Sequence, residues 1–167
     1  KVYSFPEASH FTSSELQSFL GHDGHQFTAE LKEILQLLNQ GKNIGSALKI
    51  DLSEEAQDHI QAQYSTWLQK DKDAGGLDAI ETSTWNRIHP FLEVLLVLTK
   101  KYTAVVANPP YMGQKSMNAE LKNYVKTHYP ATKSDLMTVF MEVIPELTTD
   151  NASFALINLP SWLFLSS

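Results

Sequence analysis

Residues 102–111 read YTAVVANPPY, and this stretch decides the fold. Its first part, residues 102–107, is a short apolar run rich in β-branched residues, which is typical of a buried strand. The prolines at 109 and 110 then end the strand, because proline lacks the N–H group that a sheet requires. An amide, two rigid prolines and an aromatic ring therefore follow directly after a strand. In open α/β sheets, ligands bind at this edge.

The residue types of this loop suit one electronic problem. An exocyclic amine such as adenine N6 is a poor nucleophile, because its lone pair is delocalised into the ring. The side-chain carbonyl of Asn108 and the main-chain carbonyl of Pro109 could accept the amino hydrogens and localise that pair. Consecutive prolines fix φ near −65° and remove two N–H donors, so Pro109 and Pro110 give the loop a fixed shape. Tyr111 adds a flat face for an unstacked base, a contact worth about 1–3 kcal/mol.

An ordinary turn is the alternative interpretation of this loop, since Asn-Pro is a common turn signal. Asn or Asp followed by two prolines and an aromatic residue should occur by chance in about one chain of this length in 300. The position after a predicted strand makes chance a poorer explanation still. We therefore interpret residues 108–111 as a functional loop.

The sequence around this loop resembles the amino-group DNA methyltransferases that use S-adenosylmethionine. In particular, it resembles the large adenine-specific enzymes of bacterial phage-defence systems of the BREX type. The matching text is NPPYMG at 108–113, KSDL at 133–136 with Phe140, ALI at 155–157 and SWLFLSS at 161–167. The resemblance is strong from about residue 102 onward and weak before it. Departures at Thr103, Gln114, Ser116 and Ala152 concern loop flexibility and turn shape rather than the loop at 108–111.

The resemblance implies adenine N6 methylation of double-stranded DNA. The target adenine would be flipped out of the duplex, because its N6 cannot be reached within the stack. The resemblance also implies direct methyl transfer from S-adenosylmethionine, with no metal and no covalent enzyme intermediate. Phe140 is the implied neighbour of the donor's adenine, and an ordinary core phenylalanine is the alternative. Other phage-defence proteins are further candidate partners.

The sequence also predicts that this chain is a fragment of a larger enzyme. Enzymes of this kind carry a glycine-rich cofactor loop and a target-recognition region, whereas no Gly-x-Gly occurs in this sequence. Four large apolar residues at 162–165 lie close to the end of the chain, where they have little to pack against. We therefore expect the fragment itself to be inactive.

Length and composition fit a globular domain. The chain has 167 residues, of which 43% are hydrophobic and 19% charged, and it contains no cysteine, which excludes disulfides and thiolate zinc sites. It contains neither a run long enough to span a bilayer nor a signal-peptide pattern, so we expect a cytoplasmic protein without a membrane partner. The run from His22 to His25 lacks a third ligand at suitable spacing, which favours a polar turn over a metal site.

The charge is unevenly distributed. The net charge of the chain is −6, which argues against a DNA-binding surface over the whole protein. Residues 111–133, however, carry a net charge of +3, because Lys115, Lys122, Lys126 and Lys133 oppose only Glu120. This basic patch directly follows the candidate loop. It predicts contacts with DNA phosphates through Lys115, Lys122 and Lys126, and an ordinary solvated helix face is the alternative.

Helical signals dominate residues 1–100. Thr12 and Glu15 form a capping-box pattern before a short helix, while Thr28 and Ser53 are predicted to cap two more. Trp67 is predicted to lie in the core rather than to stack on a base. The second helix has one apolar stripe at helical spacing: Leu31, Ile34, Leu35 and Leu38.

Three breaks are predicted within this helical part. Residues 41–45 are interpreted as a helix C-cap and turn rather than a phosphate-binding loop, because they lack the further glycine or Lys-Ser/Thr pair. Gly75 and Gly76 should end the third helix. Pro90 should interrupt a helix that reaches Lys101.

After the candidate loop, the pattern returns to alternating helices and strands. Residues 120–128 are predicted to be helical, and Ser134 or Asp135 should cap the next helix. Pro145 should kink or shorten the last turn of that helix. Residues 149–151 are predicted as a turn, and residues 153–159 as a buried parallel strand, because that run is apolar on both faces.

Taken together, these features predict an α/β fold: a partial Rossmann-like methyltransferase core at 101–167, preceded by a mainly helical insertion at 1–100. Two other functions stay open. The same loop occurs in enzymes that methylate a protein glutamine amide, whose planar nitrogen poses the same electronic problem as N6. A helical interaction module without chemistry of its own is the second alternative.

Overall fold

Helices build the first part of the chain, and a pair of parallel strands organises the second. The computed structural model describes residues 1–73, 75–160 and 163, so most of the predicted apolar run at 162–165 lies outside the described residues. The helices are α1 (Ser13–Leu20), α2 (Thr28–Leu38), α3 (Gly41–Ile44), α4 (Glu54–Lys72), α5 (Ala79–Thr99), α6 (Ala119–His128) and α7 (Leu136–Glu146). The strands are β1 (Tyr102–Ala107) and β2 (Thr148–Leu156).

The chain divides into two compact units. The first unit contains residues 1–42 and 50–99, and the second contains residues 43–49 and 100–167.

None of the helices in the described part of the chain is both long enough and apolar enough to cross a membrane.

The first unit is helical, as the sequence predicts. Thr12 and Glu15 form the capping box at the start of α1, and the Ser53 hydroxyl accepts a hydrogen bond that caps α4. The predicted stripe of α2 is buried, and Trp67 is 2% exposed, which confirms its place in the core. Local signals thus determined these helices.

Three predictions about helix caps and helix breaks in the first unit are wrong. Thr28 does not cap α2, because the chain enters α2 directly from a 3-10 helix at His22–Phe27, and the Thr28 hydroxyl donates to the His25 carbonyl at 2.7 Å. Gly41 is not a C-cap: it begins α3, and a Cβ at this position would collide with the Phe5 ring. At Gly41, packing against Phe5 overrides the local signal, whereas at Thr28 the preceding 3-10 helix places the residue inside the helix.

The third wrong prediction concerns Pro90, which does not interrupt α5. The helix runs unbroken over 21 residues with Pro90 inside it. Ile88 and Phe91 on either side of the proline are 0% and 1% exposed. A proline in a helix interior costs about 3 kcal/mol. Burying each large apolar side chain stabilises by about 1.5–3 kcal/mol, so the two burials together outweigh that penalty.

The second unit contains a two-stranded parallel sheet. β1 has the predicted bounds. β2 begins at Thr148 rather than at 153, so the predicted turn at 149–151 is wrong. Between the pairs Tyr102–Thr148 and Ala104–Ser153, the partner strand holds three residues more than β1, and Asn151 in this bulge has φ 64°. The turn residues therefore distort the strand instead of ending it.

The two strands are not buried as the sequence predicts. Val106 is 78% exposed and Phe154 is 52% exposed. Within the described residues the sheet has only these two strands, so each strand has a neighbour along one edge only. Apolar side chains on both faces, which are typical of a parallel strand covered on both sides, therefore face solvent in this chain.

The two helices of the second unit have the predicted positions. Asn118 caps α6, which starts one residue before the predicted range. Asp135 caps α7, and Pro145 lies in the last turn of that helix, which ends at Glu146. The buried side of α7 consists of Leu136, Met137, Thr138, Val139, Val143 and Ile144.

Residues 43–49, called here the inserted segment, belong to the second unit although they precede α4 in the chain. Ala47 and Leu48 are 0% and 5% exposed. The hydroxyl of buried Tyr129 donates to the Ala47 carbonyl at 2.9 Å, and the Lys49 N–H donates to the Tyr124 hydroxyl at 2.7 Å. Burial raises the pKa of both tyrosine hydroxyls, so they remain neutral hydrogen-bonding groups at physiological pH.

Candidate functional site

The candidate loop, Asn108–Tyr111, leaves the carboxyl end of β1. The N–H of Ile157 donates to the Ala107 carbonyl at 3.1 Å, so pairing with the chain after β2 continues up to the residue before the loop. Asn108 and Pro110 are exposed, whereas Pro109 is buried. The loop thus has an exposed amide next to a proline that is fixed in the protein interior.

Tyr111 is held at the same edge of the sheet. Its hydroxyl donates to the Ile157 carbonyl at 3.1 Å. The side chain is nevertheless 46% exposed, because this contact uses the hydroxyl and leaves ring surface open. The ring therefore has a defined position and a free apolar surface.

The residues that follow the loop, 112–114, form hydrogen bonds with the segment at 134–136. The Leu136 N–H donates to the Met112 carbonyl at 2.9 Å, and the Met112 N–H donates to Oδ1 of Asp135 at 3.3 Å. Gly113 and Asp135 form an antiparallel bridge, and the Gln114 N–H donates to the Ser134 carbonyl at 3.1 Å. The loop is therefore bounded by the end of β2 on one side and by the start of α7 on the other.

The arrangement offers hydrogen-bond acceptors and an aromatic surface on a rigid backbone. Proline residues provide no N–H groups, so the loop at Asn108–Pro110 offers main-chain carbonyl oxygens together with the exposed side-chain amide of Asn108. Such a loop can hold a planar group that carries an amino substituent. The binding energy for such a group would come from acceptors for the amino hydrogens and from ring contact.

The remaining predicted site residues lie on separate elements of the second unit. Phe140 lies on α7 and is half-buried. Lys115 lies in the turn that follows the loop, where the Ser116 N–H donates to the Gly113 carbonyl. Lys122 and Lys126 are exposed on α6.

The basic patch is available to solvent. Within the part of the chain that the structure describes, Lys115, Lys122 and Lys126 form no ion pair and are exposed. Lys133 differs, because its ammonium donates to the Pro130 carbonyl at 2.8 Å. Three of the four lysines are therefore free to meet an anion.

The histidine run in the first unit forms a short helix rather than a turn. His22 and His25 lie in the 3-10 helix, with ring centroids 5.6 Å apart. Among the described residues, no group of three or more His, Asp or Glu side chains is placed to hold a metal ion.

Two contacts of the site had no signal in the sequence. Asp135 was predicted only as a helix cap, although it also binds the Met112 N–H. The contact of Tyr111 with the main chain at Ile157 spans 46 residues. Asp135 and Ile157 do lie in two of the segments that carry the family resemblance, KSDL at 133–136 and ALI at 155–157, but neither motif indicates these contacts.

The described fold is that of an α/β protein with a candidate ligand loop at the carboxyl end of a parallel strand. The sequence matches the model of the Eco57I restriction-modification methylase family over residues 12–167. The chain therefore belongs to this family, which confirms the resemblance seen in its sequence.

Two curated relatives are similar over most of this chain. The adenine-specific methyltransferase BrxX of Escherichia coli O9:H4 (strain HS) is 34% identical over 139 residues, which cover 82% of this chain and 11% of BrxX. The adenine-specific methyltransferase PglX of Lacticaseibacillus casei (strain Zhang) is 35% identical over 161 residues, which cover 93% of this chain and 13% of PglX. The chain thus spans only about an eighth of the length of these relatives.

Proposed function

We propose that this chain forms part of the core of a DNA adenine N6-methyltransferase. The observation that carries the proposal is the loop Asn108–Tyr111, an exposed amide beside a rigid proline pair and a fixed aromatic ring at a strand end. Two relatives described as adenine-specific methyltransferases support the substrate. The complete protein would then methylate adenine in double-stranded DNA.

The loop would act on the adenine amine by hydrogen bonding. The Asn108 side-chain oxygen and the Pro109 carbonyl would each accept one N6 hydrogen, which directs the nitrogen lone pair out of the ring plane. That pair would then point toward the methyl group that a bound donor supplies, and one N6 proton would leave to solvent after the transfer. Because the prolines fix the loop beforehand, the acceptors need no reorganisation during the reaction.

Tyr111 would hold the base while Asn108 orients its amine. Adenine N6 is inaccessible in a duplex, so the base must be flipped into the site. The exposed Tyr111 ring provides the surface on which the flipped base would stack. Exposed Lys115, Lys122 and Lys126 would bind phosphates of the DNA and hold it near the loop.

S-adenosylmethionine supplies the methyl group when it is bound. The residues present fit only one side of a site for it: Phe140 is half-buried on α7 and could border an adenine ring. The sequence has no Gly-x-Gly loop, whose backbone would approach the donor closely. We therefore assign to this chain the binding of the target base, and we expect the isolated chain to be inactive.

The exposed strands support a place for this chain in a larger sheet. β1 and β2 have apolar residues on both faces, as strands do that helices cover on both sides. We propose that they belong to a Rossmann-like core and that residues 1–100 form a helical insertion before it. A cytoplasmic location is part of the same proposal, because a DNA substrate would be met there, and other phage-defence proteins are the proposed partners.

A methylation assay with the complete protein tests this proposal. Asn108→Ala should raise the activation free energy of methylation on duplex DNA by about 2–4 kcal/mol, as for other preorganised catalytic hydrogen bonds, and the single-turnover rate should fall accordingly. Asn123→Ala is the matched control, because Asn123 is an exposed amide on α6. It should leave the rate unchanged.

The choice of substrate tests the alternative chemistry. A glutamine-containing peptide should not be methylated by the complete protein. Methylation of the peptide but not of DNA would assign the loop to a protein amide. Equal rates for Asn108→Ala and Asn123→Ala would show that the Asn108 amide has no part in the reaction.

A further inference from the structure

The carboxylate of Asp135 connects two parts of the second unit. Its Oδ1 accepts a hydrogen bond from the Met137 N–H at 2.9 Å, in the first turn of α7. The same atom accepts from the Met112 N–H at 3.3 Å, and Met112 is the residue directly after Tyr111. One oxygen therefore serves a helix end and the candidate loop together.

These two contacts place different demands on the side chain. Capping alone is satisfied by Ser, Thr, Asn or Asp, which are similar at this position. The Met112 N–H lies in a different chain segment, and the Asp135 carboxylate extends one bond further from the backbone than a serine hydroxyl does. A hydrogen bond to an ionised acceptor is also about twice as strong as a neutral one. Helix capping therefore does not by itself explain an aspartate here.

We propose that Asp135 is a positioning residue that holds the backbone after the loop and so fixes where Tyr111 and Asn108 point. The inference rests on the proposed function, because it assigns Asp135 a role in orienting the base. Its mechanical part, the restraint on Met112, holds whatever the substrate is. A displacement of about 1 Å in a reacting group can lower a rate about 100-fold, so a loss of this restraint should be visible in catalysis.

Other contacts should keep the loop folded when this restraint is removed. The Met112 carbonyl is still bound by the Leu136 N–H, and the Tyr111 hydroxyl is still bound by the Ile157 carbonyl. Removing the Asp135 contact should therefore loosen the loop without unfolding the unit.

Asp135→Ser in the complete protein separates the two roles. Serine keeps the helix cap but is too short to bind the Met112 N–H. We expect faster hydrogen exchange at the Met112 amide and a single-turnover methylation rate that is about 10-fold to 100-fold lower. DNA affinity and melting temperature should stay close to those of the wild type. If Asp135 were only a helix cap, its replacement by serine would not be expected to lower the methylation rate while leaving DNA affinity unchanged.

Two further variants complete the test. Asp135→Asn keeps an acceptor for both N–H groups and should restore the rate to within about threefold of wild type. Asn118→Ser changes the cap of α6, where the side chain accepts a hydrogen bond from the Leu121 N–H at 2.8 Å, and should alter neither readout. It controls for a substitution at a helix start.

The proposal is overturned if Asp135→Ser exchanges at Met112 as slowly as the wild type and methylates as fast. If the serine variant does not fold, Asp135→Thr replaces it, because threonine also caps a helix and its hydroxyl is equally short. Exchange at Met112 as slow as in the wild type would then reject the restraint. Absence of methylation by the wild-type protein would refute the proposed function instead, while the exchange measurement would still decide whether Asp135 holds the loop.

Discussion

Substitutions of Tyr111 separate the two things that its side chain does. Tyr111→Phe removes the hydrogen bond from the hydroxyl to the Ile157 carbonyl and leaves the ring. A hydrogen bond of this kind contributes about 0.5–1.5 kcal/mol net. At about 1.36 kcal/mol per factor of ten, the methylation rate should fall only about 2-fold to 13-fold.

Tyr111→Ala removes the ring as well. Stacking of a base on an aromatic side chain contributes about 1–3 kcal/mol, so the total loss becomes about 1.5–4.5 kcal/mol. The expected decrease is roughly 10-fold to 2000-fold. Alanine also leaves a flipped base free to rotate away from Asn108, which favours the upper part of this range.

The measurement is a single-turnover methylation rate of the complete protein on one duplex with one target adenine. Tyr3→Ala is the control, because Tyr3 is similarly exposed, at 43% against 46% for Tyr111, and lies in the first unit. Equal large losses for Phe and Ala at position 111 would refute the stacking role. They would require instead that the hydroxyl itself takes part in the reaction.

Two other expectations follow from the second unit. Replacing Lys122 and Lys126 together with Gln should weaken DNA binding and reduce the magnitude of the slope of log affinity against log salt concentration by roughly 2. An unchanged slope would show that neither side chain contacts a phosphate. Tyr129→Phe should lower the free energy of unfolding by about 1–3 kcal/mol in denaturant titrations, because it leaves the buried Ala47 carbonyl without its partner. Tyr3→Phe, at an exposed position, should leave the free energy of unfolding unchanged. Equal free energies of unfolding for the two variants would show that the hydrogen bond from Tyr129 to the inserted segment does not stabilise the second unit.

The elements that could be predicted from the sequence have local causes. β1 has the predicted bounds, because a β-branched run meets two prolines. The caps at Thr12, Ser53 and Asp135 were predictable, because a capping side chain binds an N–H only two or three residues away. The loop itself was predictable for the same reason: Asn108–Tyr111 is contiguous.

The features that could not be predicted depend on distant contacts. Pro90 stays helical because side chains around it are buried against other helices of the first unit. The inserted segment joins the second unit through Tyr129, which is 82 residues from Ala47. The bulge at Asn151 arises because β2 pairs with β1 at Thr148 and again from Ser153 onward, so the residues between them are accommodated within the strand. A short stretch of sequence around each of these residues does not show which distant residues it will contact.

The same distinction explains how the candidate site is held. The prolines fix the shape of the loop locally, but its placement depends on hydrogen bonds with Ile157 and Asp135, which are far from it in sequence. A loop whose acceptors must meet a particular amine needs both kinds of restraint, because a rigid shape in the wrong place orients nothing. The second unit contains both. The loop is held by contacts at the strand ends and does not depend on burial of the strand faces. This explains how the second unit can contain a fixed loop although its strands expose apolar side chains.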